Sequence, residues 1–132
     1  MAKVPFDRLD FVYMPSRDPA QDARYFTEVL GGRLVFAIDG MGTRVAMVEL
    51  TAEAPRILLA SHLKGRRPIL VYRVDDLAAS LEMVGTALKH RRDLELPMGP
   101  ACSFEAPGGQ RLALYELTRP GVLRGFEGRH DF

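Results

Sequence analysis

The most constraining feature of this sequence is that one order of predicted elements occurs twice: a strand, a helix and then three strands. The first occurrence covers about residues 7 to 62 and the second about residues 68 to 117. Self-similarity on this scale indicates a duplicated supersecondary unit. Each unit has an apolar strand face that it cannot cover alone, so the simplest arrangement sets two four-stranded sheets side by side with the helices outside. We therefore predict an α+β fold in which two tandem βαβββ modules form an open, curved mixed sheet around a cleft.

The first module contains a helix with clear start and stop signals. Asp18 is suited to the N-cap, Pro19 to the first helical position, and Gly31-Gly32 to the C-terminal stop. Apolar residues recur at helical spacing between them, which predicts about three turns with one apolar stripe. The aromatic and β-branched stretch at residues 7 to 14 predicts the preceding strand. Further strands are predicted over residues 33 to 38, 43 to 50 and 56 to 61, with a turn at residues 39 to 42.

The second module repeats this pattern after a short basic linker. Residues 69 to 74 predict a strand, and Asp75 or Asp76 is suited to cap the helix that follows. Its apolar face is predicted from Leu77, Leu81, Val84 and Leu88. We expect the cations of residues 89 to 92 to close this helix, because positive charge is favourable at a helix C-terminus. Strands are then predicted over residues 93 to 96, 101 to 105 and 111 to 117.

The last of these strands belongs to the clearest hairpin of the sequence. Pro107-Gly108-Gly109 predicts a tight turn, because Pro fixes φ and Gly permits positive φ. After the turn, Leu112 and Leu114 lie on one face of a strand, whereas Arg111, Ala113 and Tyr115 lie on the other. We expect the leucine face to meet helices and the other face to line the cleft.

Composition and charge limit the function classes. The 132 residues, 47% hydrophobic and 27% charged, are typical of one globular domain covering residues 1 to 132. The net charge of +1 provides no field that would attract nucleic acid or an anionic membrane, so neither is an expected partner. The first ten residues lack the apolar core of a signal peptide, so a cytoplasmic location is expected. The single cysteine, Cys102, cannot form an internal disulfide and is expected to be buried in a strand.

The C-terminal tail, residues 118 to 132, extends beyond the duplicated unit. It combines charged residues, glycines and a proline with the apolar residues Val122, Leu123, Phe126 and Phe132. These four side chains are too apolar for a free linker. We predict that the tail docks on its own domain or on a partner subunit and helps to close one end of the cleft.

Three short motifs within residues 7 to 117 resemble those of one known protein family. Asp10-Phe11-Val12-Tyr13 before a capped helix resembles the first strand of that family. Val74-Asp75-Asp76-Leu77 is similar to the motif that opens its second helix. Ala106-Pro107-Gly108-Gly109-Gln110 resembles its Asp-Pro-Asp-Gly-Asn turn, with Ala106 and Gly108 in place of the usual acids. The chain thus resembles the vicinal oxygen chelate superfamily, which includes glyoxalases, bleomycin-resistance proteins and extradiol dioxygenases, and the resemblance implies the two-module fold and a homodimer.

The resemblance also identifies the positions from which metal-dependent members take their ligands. Those ligands are typically His or Gln, Glu, His and Glu, one on each of four strands facing the cleft. The matching positions here are Phe11, Leu58, Ile69 and Ala113. Apolar side chains offer no donor to a divalent cation, so we expect neither a metal nor another cofactor. The histidines His62, His90 and His130 show no metal-binding spacing.

The inner face of the predicted sheet is apolar with a few polar side chains. The predicted ligand-binding cleft comprises Phe11, Tyr13, Leu58, Ala60, His62, Ile69, Val71, Arg111, Ala113 and Tyr115. Small residues such as Ala60 and Ala113 would leave room for a flat or hydrophobic molecule, and tyrosine hydroxyls or Arg111 would orient it. Arg73 is a further charged position of the same parity. No catalytic residue is assigned.

Three functions stay open at this point. The first is a metal-free protein that binds a small, largely apolar organic molecule in the cleft. The second is a metal-dependent lyase, isomerase or oxygenase of the same superfamily with displaced ligands, which would require two or more His or Glu side chains converging in the cleft. The third is a protein with a filled cleft that acts through a protein partner, and a packed cleft beside a large exposed apolar patch would favour it.

Overall fold

A computed structural model describes residues 5 to 40, 42 to 84 and 88 to 132. Within these residues, eight strands form one mixed sheet in the order β2-β3-β4-β1-β5-β8-β7-β6. The strands are β1 (Phe6–Pro15), β2 (Arg33–Gly40), β3 (Thr43–Glu49), β4 (Arg56–Ala60), β5 (Ile69–Val74), β6 (Lys89–Leu96), β7 (Gly99–Glu105) and β8 (Arg111–Glu116). The helices are α1 (Pro19–Arg24), which continues as a π-helical turn (Tyr25–Val29), α2 (Leu77–Val84) and a 3₁₀ turn (Leu123–Phe126).

The order of the strands confirms the predicted pair of βαβββ modules in an open, mixed sheet. Within each module the first strand pairs in parallel with the fourth, as β1 does with β4 and β5 does with β8. The modules meet where β1 and β5 pair antiparallel, so the two halves share one continuous sheet. This junction puts the first strand of each module at the centre of the molecule.

The two α-helices, α1 and α2, cover the same face of the sheet. Leu59 and Val48 pack towards α1, whereas Leu114 and Val74 pack towards α2. The opposite face carries a third apolar cluster that includes Phe11, Leu58, Val71, Ala113 and Tyr115. The alternation of side chains along each strand therefore separates the helix-facing core from a concave face, as the hairpin at residues 105 to 117 predicted.

The prediction that residues 89 to 92 close the second helix was wrong. They begin β6, which pairs with β7 at the edge of the sheet. All but the last residue of β6 are exposed, so the strand has no buried face and no apolar alternation to reveal it. Charged residues suit an exposed edge strand as well as a helix C-terminus, because both are solvated.

Two other predicted features touch residues that the structure does not describe. Met41 of the predicted 39 to 42 turn and residues 85 to 87 of the second helix lie outside the described residues. Among the residues that are described, no helix is both long enough and apolar enough to cross a bilayer.

The C-terminal tail packs on its own domain. The backbone N–H of Ala37 donates to the carbonyl of Arg129, and that of Asp131 donates to the carbonyl of Ala37, each at 2.7 Å. The N–H of Gly128 donates to the carbonyl of Val35 at 3.0 Å. The tail thus adds backbone pairing to β2, which lies at the edge of the sheet.

Candidate functional site

Rows of paired residues cross the concave face of the sheet and build the site. One row runs from Phe36 on β2 through Met47 and Leu58 to Tyr13 on β1 and Ile69 on β5. The next row places Arg56, Phe11, Val71 and Ala113 side by side on β4, β1, β5 and β8. A third row joins Arg8, Arg73 and Tyr115. The face therefore changes from apolar to cationic along the strands.

The apolar end of this face contains a cavity of about 390 Å³, which we call the apolar cavity. This volume lies within the range of small-molecule sites in proteins. Its wall is mainly aliphatic and aromatic, with a few polar groups at the rim. The lining residues are Phe11, Tyr13, Phe36, Ile38, Asp39, Gly40, Thr43, Val45, Leu58, Val71, Leu96, Pro97, Met98, Leu123, Phe126 and Arg129.

The C-terminal tail forms one wall of the apolar cavity. Leu123 and Phe126 of the 3₁₀ turn point into it, and the ring of Phe126 packs edge-on against Phe36 with 5.7 Å between ring centroids. The side chain of Asp131 accepts a hydrogen bond from the backbone N–H of Asp39 at 3.0 Å. The tail is therefore anchored to β2 on the side where it closes the cavity.

A polar group lies at the rim of the apolar cavity. The Nδ1 of His62 is 2.8 Å from the hydroxyl of Thr43, and its Nε2 is 3.5 Å from the hydroxyl of Tyr13. Thr43 and Tyr13 both line the cavity, whereas the exposed His62 contacts them from outside. Burial raises the pKa of the Tyr13 phenol, so its hydroxyl keeps its proton and remains able to donate to a ligand.

A second cavity, of about 260 Å³, adjoins the first, and we call it the arginine-lined cavity. Four arginines and one aspartate contribute to its wall: Arg8, Arg56, Arg73, Arg119 and Asp10. Phe11, Met98 and Leu123 line both cavities, which places these side chains at the boundary between them. The apolar and cationic parts of the concave face are therefore neighbours.

Asp10 and Tyr115 form the buried polar centre of the arginine-lined cavity. The Tyr115 hydroxyl donates to Asp10, and the Nε of Arg8 donates to the same carboxylate at 2.5 Å. Burial and the Asp10 carboxylate both raise the pKa of the Tyr115 phenol, because each disfavours its ionised form. Tyr115 therefore acts as a neutral hydrogen-bond donor that joins β8 to β1.

The structure brings together only part of the predicted cleft. Phe11, Tyr13, Leu58 and Val71 line the apolar cavity. Tyr115 lines the arginine-lined cavity. Ala60 and Ala113, expected to leave room, are buried and line neither cavity.

The remaining predicted residues lie at the edges of the site. Ile69 and Arg111 border a separate depression of about 170 Å³ beside His90 and Glu105. The guanidinium of Arg111 donates to the backbone carbonyl of Arg67 at 3.2 Å, so it fixes the linker between the modules. Glu105 contacts the Nδ1 of His90 at 2.7 Å, and this contact lowers the pKa of the carboxyl.

Several lining residues were absent from the predicted cleft. Ile38 and Val45 come from the hairpin of β2 and β3, and their places in alternating strands were a usable signal. Arg8 and Asp10 were harder to find, because the β1–β5 pairing shifts register between Phe6 and Arg8 and again between Leu9 and Phe11. A β-bulge changes which residues face the same side, so simple alternation fails there.

The positions that match the metal ligands of the resembling family do not fit a cation. Phe11, Leu58, Ile69 and Ala113 are all buried and apolar. Across residues 5 to 40, 42 to 84 and 88 to 132, no three His, Cys, Asp or Glu side chains converge. A divalent ion needs several oxygen, nitrogen or thiolate donors around it, and none of these four side chains supplies one.

Known structures share this fold at low sequence identity. Methylmalonyl-CoA epimerase from Mycobacterium tuberculosis matches with a TM-score of 0.70 and 22% identity, over 90% of this chain and 93% of that one. A hypothetical protein from Bacillus halodurans C-125 matches with a TM-score of 0.66 and 13% identity, over 85% and 95%. A variant of Streptomyces coelicolor methylmalonyl-CoA epimerase, in complex with 2-nitronate-propionyl-CoA, matches with a TM-score of 0.65 and 15% identity, over 86% and 99%.

These likenesses concern the fold alone. No protein-family model matches the sequence, and no curated protein matches it. The two tandem modules and the open mixed sheet that the family resemblance implied are confirmed as the fold of this chain. The chemistry of the site has to be argued from the residues of this chain.

Proposed function

We propose that this chain, which has the fold of the vicinal oxygen chelate superfamily, binds a small, largely apolar organic molecule without a metal. The observation that carries the proposal is the apolar cavity itself. It has a volume of about 390 Å³ and walls built from Phe36, Ile38, Val45, Leu58 and Phe126. An apolar molecule that enters such a cavity removes its own surface and that of the wall from water, which drives binding.

The same observation disfavours the alternative of a filled cleft that acts through a protein partner. Side chains of the concave face pack together around Ala113 but leave space beside Val45 and Ile38. The alternative of a metal enzyme with displaced ligands needs two or more converging His or Glu side chains in the cleft, and the described residues that line the two cavities include neither His nor Glu. The predicted homodimer and cytoplasmic location remain parts of this proposal.

The proposal is tested by filling the cavity. Val45 is half-buried and lines the apolar cavity, so Val45→Trp would occupy the space in which a ligand is expected to lie. Val29→Trp makes the same exchange on the π-helical turn, where Val29 is 65% exposed and lines neither cavity. The probe is 2-naphthamide, an uncharged bicyclic aromatic, and its fluorescence is titrated with protein.

We expect the unaltered protein and Val29→Trp to bind 2-naphthamide alike and Val45→Trp to bind it at least about tenfold more weakly. The unaltered chain contains no tryptophan and each variant contains one, so the protein's own fluorescence is recorded without the probe and subtracted from each titration. Thermal melting of each variant checks that the fold is kept. Equal affinity in Val45→Trp and the unaltered protein, or no binding to either, would contradict the proposal.

A further inference from the structure

We infer that the ligand is an amphipathic carboxylate, with its apolar body in the apolar cavity and its carboxylate group in the arginine-lined cavity. This inference rests on the proposed function, because it names the class of molecule that the same site takes. It adds a second, cationic subsite to the apolar one. The argument depends on where the two cavities meet, on the charge of the second one and on the donors that remain available there.

The two cavities are close enough for one small molecule to occupy both. Phe11, Met98 and Leu123 contribute to both walls. Met98 is unbranched and adaptable, and Leu123 belongs to the docked tail rather than to the sheet. Two of the three boundary side chains, Met98 and Leu123, therefore adjust to a ligand more readily than a strand backbone does. A molecule with an apolar part and a polar end matches this arrangement.

The lining of the second cavity is strongly cationic. Its ionisable residues are four arginines and one aspartate, which gives a formal charge of +3 on the wall. The whole chain carries only +1, so positive charge is concentrated at this place. A concave site lined by one sign of charge raises the local concentration of ions of the opposite sign. The cavity therefore favours an anionic group.

Arg8 and Arg73 have donors to offer to such a group. Arg8 uses its Nε for Asp10. The Nε of Arg73 is buried and lies 3.4 Å from Asp7 and 3.6 Å from Asp10, and it makes no hydrogen bond within the described part of the chain. A guanidinium carries five N–H donors in a planar fork, which matches the two oxygens of a carboxylate. The terminal nitrogens of these two arginines are the expected contacts.

The other charged groups around the cavity have structural partners. Asp10 opposes an anion, but it already accepts hydrogen bonds from Arg8 and Tyr115. Terminal nitrogens of Arg56 and Arg119 are already engaged, because Nη2 of Arg56 lies 3.2 Å from Glu49 and Nη2 of Arg119 donates to the carbonyl of Leu96 at 2.8 Å. Arg56 and Arg119 therefore contribute to the positive potential of the cavity, whereas the guanidinium groups of Arg8 and Arg73 donate hydrogen bonds to the carboxylate.

A matched pair of probes separates the anionic subsite from the apolar one. The probe 2-naphthoate has the shape of 2-naphthamide but carries a carboxylate at neutral pH. We expect 2-naphthoate to bind at least about tenfold more tightly than 2-naphthamide, since hydrogen bonds to charged groups are roughly twice as strong as neutral ones. Added salt is expected to weaken the binding of 2-naphthoate only, because ions screen charge but not apolar contact.

Two arginine variants and one control identify the residues responsible for the preference for 2-naphthoate. Arg8→Met removes a side chain that is 56% exposed and leaves Asp10 its bond from Tyr115, and it should abolish most of the preference for 2-naphthoate. Arg73→Lys keeps the charge beside Asp7 and Asp10 but loses the fork, and it should lower the preference several-fold. Arg24→Met, on exposed helix surface away from both cavities, is the control and should leave both affinities unchanged.

The outcomes separate this inference from the proposed function. Equal affinities for the two probes, unaltered by Arg8→Met and Arg73→Lys, would overturn the anionic subsite and leave apolar binding standing. Tighter binding of 2-naphthyl phosphate than of 2-naphthoate would overturn the assignment of the head group as a carboxylate. A preference for 2-naphthoate that all three arginine variants retain would also overturn the inference, and no binding of any probe would overturn both proposals.

Discussion

The Tyr115 hydroxyl donates a hydrogen bond to the Asp10 carboxylate across 105 residues of chain. Tyr115 belongs to the last strand of the second module and Asp10 to the first strand of the first module. Tyr115 is 2% exposed and Asp10 is 5% exposed, so this bond joins the two halves inside the protein. It also forms the floor of the arginine-lined cavity.

Tyr115→Phe is expected to destabilise the protein by about 1 to 2 kcal/mol. The change leaves the ring in place but takes one donor from a buried carboxylate, which then keeps the bond from Arg8. Urea unfolding followed by circular dichroism measures the free energy of unfolding. Tyr25→Phe, at a residue that is 54% exposed, is the control and should change stability very little. Equal stability of both variants would show that the bond contributes nothing.

The Tyr115 phenol should also lose its proton at a higher pH than an ordinary tyrosine does. Burial and Asp10 raise its pKa, so the folded state keeps the phenol proton above pH 10, where an unfolded chain loses it. The stability due to this group is therefore complete below about pH 10 and is lost as the pH rises further. Phenolate absorbance is compared between the unaltered protein and Tyr115→Phe. If the unaltered protein shows one more tyrosine ionising near pH 10 than Tyr115→Phe does, this account is contradicted.

The tail is expected to serve both stability and binding, and two phenylalanines separate these effects. Phe126 lines the apolar cavity, whereas Phe132 packs on the helix-covered face beside Arg44. Phe126→Ala and Phe132→Ala should each cost no more than about 3 kcal/mol, since both rings are only half-buried. Only Phe126→Ala should weaken the binding of 2-naphthamide. The reverse pattern, or loss of binding in both variants, would rule out this division.

Removal of metal ions should leave the protein unchanged. Phe11, Leu58, Ile69 and Ala113 offer no donors at the family ligand positions. We therefore expect dialysis against EDTA to change neither the melting temperature nor the affinity for 2-naphthamide. A drop of many degrees that one divalent ion restores would show that a metal is coupled to folding.

The sequence predicted the parts of the fold that depend on local periodicity. The strand at Ile69–Val74 and the separation of Leu114 from Tyr115 follow from alternation with one face against helices. Residues 89 to 92 lie in an exposed edge strand, where no apolar pattern arises. The cavity beside Val45 depends on how the whole sheet curves and where the tail docks. Neither can be predicted from a short stretch of sequence.

The cationic part of the site was partly visible in the sequence. Arg73 was recognised as a charged residue of inward parity, and it does line the arginine-lined cavity. Arg8 and Asp10 could not be placed in the same way, because the register shifts in β1 interrupt the alternation. Arg56 was predicted to lie in a strand. Its position beside the cavity depends on the pairing of β4 with β1, which brings Arg56 next to Phe11.

Methyl NMR of the protein titrated with 2-naphthamide tests the central claim most directly. Leu58 and Leu59 are neighbours in one strand, but Leu58 lines the apolar cavity and Leu59 packs towards α1. A ring current from the bound naphthyl group should shift the methyl signals of Leu58 and Val45 and leave those of Leu59 and Leu114 in place. Shifts confined to Leu59 and Leu114, or no saturable shift at all, would contradict the account.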